Sequence, residues 1–154
     1  MRWNQGREVI GNLIAEGHLQ LVPPSRQHAN LLIGQARAHL ASATTICSAD
    51  PAGSYVMTYD AARKALTAVL ANQGLRPTTR GGHLAVYQAV RAQLSPPLGD
   101  VLAPFDRMRR QRHDVEYPPV DAPDLTEDDV REDIPKAQAL VEVAAKVLDD
   151  MLPY

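Results

Sequence analysis

The most informative stretch of this chain is RMRRQRHDVEY, residues 107–117, which begins with four arginines and one histidine within seven residues. Apolar side chains recur at helical spacing through this region, at Val101, Phe105, Met108 and Val115. Arg112 follows Met108 by four residues and precedes Val115 by three, so it falls within the same helical stripe. A charge on a core-facing stripe is costly unless it is paired or lines a wet cleft. Arg112 is therefore predicted to form either a structural ion pair, with Asp60 or Glu116, or part of a site.

The same helical phasing separates Arg112 from the other basic residues around it. Arg107 projects about 120° away from the apolar stripe, and Arg107 and Arg110 are both expected on a solvated face. His113 lies about 100° around the helix from Arg112, at the edge of the inward face. The stretch is thus predicted to hold two outer arginines and one inner arginine beside a histidine.

Length and composition favour one helical domain over residues 1–154. Hydrophobic residues make up 45% of the 154 residues and aromatic residues only 5%, and the dominant alanine and leucine favour helices over strands. The single cysteine, Cys47, excludes an internal disulfide. No apolar run approaches the roughly 20 residues of a membrane span, and the N-terminus lacks a signal-peptide pattern. We therefore expect a cytoplasmic protein with no membrane partner.

Charge is distributed unevenly along the chain. Residues 1–120 hold thirteen Lys and Arg against eight Asp and Glu, whereas residues 121–154 hold three against ten. The basic part predicts an anionic partner such as a nucleic acid. Alternatively, the acidic C-terminal helix packs beside the basic one and neutralises it.

Capping residues, proline and glycine divide the sequence into helices. Ser25 is a good N-cap for a helix that runs to about residue 48, and Asp50 with Pro51 at N1 begins a helix that runs to about residue 72. Thr126 with Asp129 resembles a capping box for the last helix, in which Pro135 should cause a kink or mark a later start.

The remaining helices are bounded by similar signals. One covers about residues 5–16, another begins at Gly81-Gly82-His83 and ends before Pro96-Pro97, and the helix with the 107–117 stretch ends at Pro118-Pro119. Residues 73–80 are predicted to form a loop. Because no segment alternates with period two, we predict an all-α fold, an up-and-down bundle of five to six helices.

Three segments together resemble the HEPN superfamily of small helical-bundle proteins. They are YDAARKAL at residues 59–66, GGH at residues 81–83 and RHDVEY at residues 112–117. The resemblance covers about residues 25–150. It implies a homodimer that binds RNA or a nucleotide, and it allows a nucleotidyltransferase-type antitoxin as a partner. Many members are metal-independent endoribonucleases, so neither a metal nor a cofactor is expected.

The family's ribonuclease signature is an arginine, often followed by a polar residue, with a histidine four to six residues further on. If Arg112 is that arginine, His113 takes the polar position and Tyr117 stands where the histidine is expected. Arg107 with His113 satisfies the spacing, but helical phasing directs Arg107 to solvent. The phasing therefore favours Arg112, a reading that predicts binding or a degenerate active site in place of robust catalysis.

Metal-free RNA cleavage needs an acid, a base and a cation, which histidine and arginine supply. The candidate catalytic residues are Arg112 and His113. The candidate binding residues, which include His83 at a helix start that favours anions, are Asp60, Arg63, His83, Arg109 and Tyr117. Each also has a structural reading: Asp60 and Arg63 can simply pair on one helix face, and His83 and His113 can be helix-end residues.

Three functions follow from these features. The first is an RNA- or nucleotide-binding HEPN-like protein that lacks robust catalysis. The second is an active endoribonuclease toxin of a toxin–antitoxin or phage-defence system that uses His113. The third is a non-catalytic dimeric interaction module, which predicts binding behaviour without the steep salt dependence of phosphate contacts.

Overall fold

The computed structural model describes residues 3–154, and helices make up most of them. The helices are α1 (Arg7–Ala15), α2 (Arg26–Ile46), α3 (Pro51–Gln73), α4 (Gly82–Leu94), the single-turn α5 (Gly99–Leu102), α6 (Pro104–Glu116) and α7 (Glu127–Val147). Two short strands, β1 (Leu19–Leu21) and β2 (Leu75–Pro77), pair antiparallel. The predicted all-α helical bundle is confirmed.

Side-chain caps fix where the three long helices begin, as the sequence predicted. Ser25 accepts a hydrogen bond from the backbone N–H of His28 at the start of α2, at 3.1 Å. Asp50 caps α3 through the N–H of Gly53 at 2.9 Å. Thr126 and Asp129 form the reciprocal capping box at the start of α7. Each cap satisfies backbone donors that have no partner inside the helix.

Helix α3 is the centre of the bundle, because α2, α4, α6 and α7 all pack against it. Its small side chains allow this close approach, and the four alanines at positions 61, 62, 65 and 68 are fully buried. The large side chains of Tyr55 and Tyr59 are also buried, each with 1% of its surface exposed. A tightly packed α3 therefore provides a rigid base for the residues on its neighbours.

Two predictions about the elements were wrong in detail. Residues 73–80 do not form only a loop, because β2 pairs with β1 in a register that joins Gln20 to Arg76. Val101, placed in the predicted fifth helix, belongs to the separate α5, and α6 begins with Pro104 at its first turn. Helix α7 starts at Glu127 and continues through Pro135, so the proline does not mark a later start.

A buried carboxylate on α7 joins this helix to α3 and α6. Asp133, with 4% of its side chain exposed, accepts hydrogen bonds from Arg107 at 3.0 Å and from the Tyr55 hydroxyl at 2.7 Å. Burial opposes ionisation of Asp133, but the hydrogen bonds from Arg107 and Tyr55 outweigh it and hold its pKa below the ordinary value. Arg107 is 49% exposed, in agreement with its predicted place on a solvated face, and its long side chain reaches back to Asp133.

We predict that Asp133→Ala destabilises the fold by about 2 kcal/mol, because α6 and α7 lose the charge-assisted hydrogen bonds from the half-exposed Arg107 to this carboxylate. The buried Tyr55 hydroxyl would also lose its acceptor. Chemical unfolding in urea, followed by circular dichroism, measures the change in the free energy of unfolding.

The matched control is Glu132→Ala, which removes the neighbouring exposed carboxylate and is expected to change stability by less than about 0.5 kcal/mol. Because folding lowers the pKa of Asp133, its carboxylate contributes fully to the free energy of unfolding above the ordinary pKa. This contribution is lost as the pH falls through the lower folded-state value. The difference in the free energy of unfolding between wild type and Asp133→Ala should therefore shrink in acid. Equal effects of the two substitutions at neutral pH would contradict the account.

Candidate functional site

An open cleft of about 650 Å³ lies between α3, the start of α4 and the second half of α6. Its position follows from the packing of α4 and α6 against α3 and against each other. The residues that line it include three arginines and two histidines, and the full set is Tyr59, Gly81, His83, Leu84, Arg109, Arg110, Arg112, His113 and Asp114.

The structure brings four of the seven predicted site residues into this cleft: His83, Arg109, Arg112 and His113. The predicted binding residues Asp60 and Arg63 lie on α3 and act on the cleft through their charges. Tyr117 stands at the end of α6 beside His113. The cleft is also lined by residues that were not predicted as site residues: Tyr59, Gly81, Leu84, Arg110 and Asp114.

Arg112 lines the cleft and also forms an ion pair. It thus combines the two arrangements that the sequence analysis gave as alternatives for its inward position. Its Nη2 lies 3.0 Å from Oε1 of Glu116, one turn further along α6. Its guanidinium carbon lies 5.9 Å from the centre of the Tyr59 ring, within the range of a cation–π contact. Its Nε is buried and has no hydrogen-bond partner among residues 3–154. One donor of Arg112 is therefore unsatisfied in the free protein.

Arg107 lies outside the cleft, because its guanidinium is held by Asp133. This geometry disfavours the alternative registration in which Arg107 and His113 form the catalytic pair. His113 shares the cleft with Arg109, Arg110 and Arg112, and the inward position that helical phasing predicted for Arg112 agrees with its place in this lining.

Tyr59 and His83 form a hydrogen bond of 2.7 Å between the phenol oxygen and Nδ1. Burial raises the pKa of Tyr59, although the nearby Arg63 and Arg112 oppose the shift. The Tyr59 hydroxyl therefore keeps its proton, and Nδ1 of His83 is its only hydrogen-bond partner among the described residues. We infer that Tyr59 donates to Nδ1, which leaves the proton of the neutral imidazole on Nε2.

The environment of His83 favours its neutral form. Burial lowers the pKa of His83 below its ordinary value, and the positive charges of Arg63 and Arg112 lower it further. The carboxylate of Asp60 opposes this shift but does not overcome it. At neutral pH, His83 is therefore an uncharged donor through Nε2.

Asp60 pairs with Arg63 on α3, as the sequence predicted, and not with Arg112. Its Oδ1 accepts hydrogen bonds from Nε and Nη2 of Arg63 at 3.0 and 2.6 Å. Its other oxygen lies 3.5 Å from Nε2 of His39 on α2. With Asp60 occupied in this way, Arg112 takes its carboxylate from its own helix.

Arg109 and Arg110 share a single carboxylate, that of Asp106. Arg109 donates to its Oδ1 at 3.0 and 2.9 Å, whereas Nε of Arg110 lies 3.6 Å from its Oδ2. Arg110 is 68% exposed, so its predicted place on a solvated face is confirmed. Because two cations face one acid, this side of the cleft keeps an excess of positive charge.

The start of α4 is placed by a close approach of backbone to backbone. A Cβ at Gly81 would collide with the carbonyl oxygen of His18, so only glycine fits at this position. Two residues later, His83 enters the cleft and meets Tyr59. Gly81 therefore allows α4 to begin close to the small sheet, whereas Gly82 is favoured by its left-handed backbone conformation, with φ of 55°.

The end of α6 presents two aromatic rings to solvent next to the cleft. The rings of His113 and Tyr117 are 5.1 Å apart between centroids, with an angle of 41° between their planes. His113 is exposed and Tyr117 is 67% exposed. Tyr117 ends the helix because the following Pro118 disfavours the helical conformation at position 117.

The fold and the cleft define a small helical bundle with a basic groove along one of its helices. A model of the HEPN domain matches residues 29–148, and the chain therefore belongs to the HEPN family. No curated protein and no solved structure matched the chain significantly. Within residues 3–154, no helix is long and apolar enough to cross a membrane, and no group of three or more His, Cys, Asp and Glu side chains is arranged to hold a metal ion.

We predict that His83 titrates below its ordinary pKa, and that Arg112→Met raises its pKa because one of the positive charges beside the imidazole is removed. Because folding lowers this pKa, the free energy of unfolding should fall as the pH drops from about 6.5 through the folded-state value. Nuclear magnetic resonance of the imidazole protons across a pH series measures the pKa directly.

The control is Arg131→Met, which removes an exposed arginine of α7 that pairs with Glu127. It should leave the pKa of His83 unchanged. The claim that burial and nearby arginines lower the pKa of His83 would be contradicted by a pKa at or above the ordinary value. A pKa that does not respond to Arg112→Met would contradict it as well.

Proposed function

We propose that this chain binds RNA, or a nucleotide, through phosphate groups held in the arginine-lined cleft, and that it lacks robust catalysis. The observation that carries this proposal is the convergence of Arg109, Arg110 and Arg112 with two histidines in one open cleft. Arginine offers a fixed charge and a forked set of donors that match phosphate oxygens. Phosphate oxygens would compete for these guanidinium groups with the carboxylates of Asp106 and Glu116, which pair with them, and with Asp114, which lines the same cleft.

The state of Arg112 supports a ligand with oxygen acceptors. A buried donor without a partner costs about 1–3 kcal/mol, and Nε of Arg112 is such a donor. Reorientation of the guanidinium toward a phosphate would satisfy Nε and keep the charge paired. The single-helix pair with Glu116, in which both side chains are about one-third exposed, is weak enough to allow that exchange.

The protonation of His83 supports binding more than catalysis. A general base needs a free lone pair on the nitrogen that faces the substrate. With Tyr59 donating to Nδ1, the other nitrogen of His83 carries a proton and can only donate. Such a donor suits a phosphate or hydroxyl oxygen of a bound nucleotide.

We predict that Arg112→Ala weakens the binding of a fluorescein-labelled short oligoribonucleotide about tenfold, the loss expected when one charge-assisted hydrogen bond of about 1.5 kcal/mol is removed. The slope of the logarithm of affinity against the logarithm of salt concentration should fall in magnitude by about 0.7, since one phosphate contact is lost. Fluorescence anisotropy at several salt concentrations gives both values.

The matched control is Arg131→Ala, because Arg131 also forms an (i, i+4) pair, with Glu127, but lies on α7 outside the cleft. It should bind like wild type. If wild type and Arg112→Ala share the same affinity and salt slope, the proposed site is wrong. Binding with no salt dependence in wild type would instead favour an interaction module.

The second candidate function is metal-independent cleavage of RNA, and the observation that favours it is that two histidines, His83 and His113, line the same cleft. In that case His113 would take the proton of the 2′-hydroxyl as base and return it to the leaving oxygen as acid, and the neutral His83 would donate a hydrogen bond to the phosphate. Separation of the same RNA mixtures on a denaturing gel tests this candidate. We expect intact RNA, and cleavage that disappears in His113→Ala would overturn the non-catalytic proposal.

The partner proteins are predicted from the family relationship alone. HEPN domains commonly form dimers, so we propose that this chain acts as a homodimer with one cleft in each copy. A nucleotidyltransferase-type antitoxin is the corresponding proposal if the chain proves to be a toxin.

A further inference from the structure

The exposed aromatic pair at the end of α6 lies directly beside the arginine cleft. His113 belongs to both features, because it lines the cleft and contacts the ring of Tyr117. Tyr117 keeps 67% of its surface exposed although the chain has few aromatic residues and buries the tyrosines at positions 55, 59 and 87. Its ring is therefore accessible at the edge of a cleft that already holds three arginines.

We propose that the His113–Tyr117 pair, called the stacking platform below, binds an unpaired nucleobase whose phosphate is held by the arginine cleft. This inference rests on the proposed function and specifies its ligand as a base-bearing, single-stranded segment. The platform accounts for the position of Tyr117, and the cleft arginines account for the charge of the same ligand.

The geometry of the helix end supports a platform that is ready before the ligand arrives. His113 and Tyr117 are four residues apart, so their side chains lie one above the other on the same face of α6. The backbone N–H of Tyr117 donates to the carbonyl oxygen of His113 at 2.9 Å. Pro118 and Pro119 then stop the helix and restrict the chain. The backbone at Tyr117 is therefore held in place beside the cleft before a base packs on its ring.

The chemistry of the two rings fits a base better than an aliphatic ligand. Every nucleobase has a flat π surface, and stacking on an aromatic side chain contributes about 1–3 kcal/mol to binding. The contact is tolerant of sequence, since it needs no particular hydrogen-bonding edge. Neighbouring arginines that bind the backbone complete the arrangement that single-strand binders use: a basic groove with aromatic rings beside it.

The test compares two labelled probes with equal phosphate number, a short oligouridine and an oligonucleotide of the same length without bases. Tyr117→Leu should weaken the binding of oligouridine about tenfold and leave the binding of the abasic probe unchanged. Tyr117→Phe, which keeps the ring, should bind both probes like wild type. Arg112→Ala should weaken both probes. Leu31→Ala, which changes an exposed apolar residue of α2, is the control for general surface effects.

The outcomes separate the platform from the proposed function. If wild type binds both probes but Tyr117→Leu changes both equally, or neither, the platform is wrong and the cleft stands. If wild type binds neither probe, the proposed function is wrong, and the stacking platform is wrong as well. Thermal unfolding of Tyr117→Leu should match wild type because the ring is exposed, so a loss of oligouridine binding cannot be explained by misfolding.

Discussion

Phe105 and Met108 pack α6 into the core, the ion pair between Arg107 and Asp133 joins one side of this helix to α7, and the cleft lies on another side of the same helix. Arg107 reaches the buried carboxylate of α7 on one side of α6. Arg112 lies five residues further on, which places it about 140° around the helix. That angle turns Arg112 away from α7 and toward Tyr59 and the start of α4. One buried carboxylate thereby separates a structural arginine from a cleft arginine within a single basic stretch.

Local signals explain how much of the fold could be predicted from the sequence. The caps at Ser25, Asp50 and Thr126 act within three residues of the helix starts. Local sequence patterns are therefore enough to predict them. The strands β1 and β2 have three residues each, too few for a period-two pattern to show. Their pairing depends on segments that are more than fifty residues apart, and a sequence pattern carries no sign of it.

The candidate site was predictable to the extent that it follows helical phasing. The inward position of Arg112 came from its spacing to Met108 and Val115, and the contact with Glu116 from an (i, i+4) interval. The role of Asp133 was missed, although it occurs at core spacing between Val130 and Ala137 and is as unusual there as Arg112 is in α6. The Tyr59–His83 hydrogen bond joins two helices through side chains, and only the folded structure brings them together.

Charge and protonation give the cleft its character as a binding site. Three arginines pair with the carboxylates of Asp106 and Glu116, and Asp114 also lines the cleft. Burial lowers the pKa of His83, and the charges of Arg63, Arg112 and Arg109 lower it further. In the proposed registration on Arg112, Tyr117 takes the position of the signature histidine and offers a ring surface in place of a proton-transfer group. These features support the proposal that the protein binds RNA without robust catalysis.

The different roles of Arg107 and Arg112 are tested most directly by a nuclear magnetic resonance titration with a short oligoribonucleotide. The experiment follows the side-chain Nε–H signals of the arginines. The account predicts that the signal of Arg112 shifts as RNA is added, because its buried, unpartnered Nε gains an acceptor. It predicts that the signal of Arg107 stays in place, because Asp133 continues to hold that guanidinium. A shift of the Arg107 signal with no change at Arg112 would contradict the central claim.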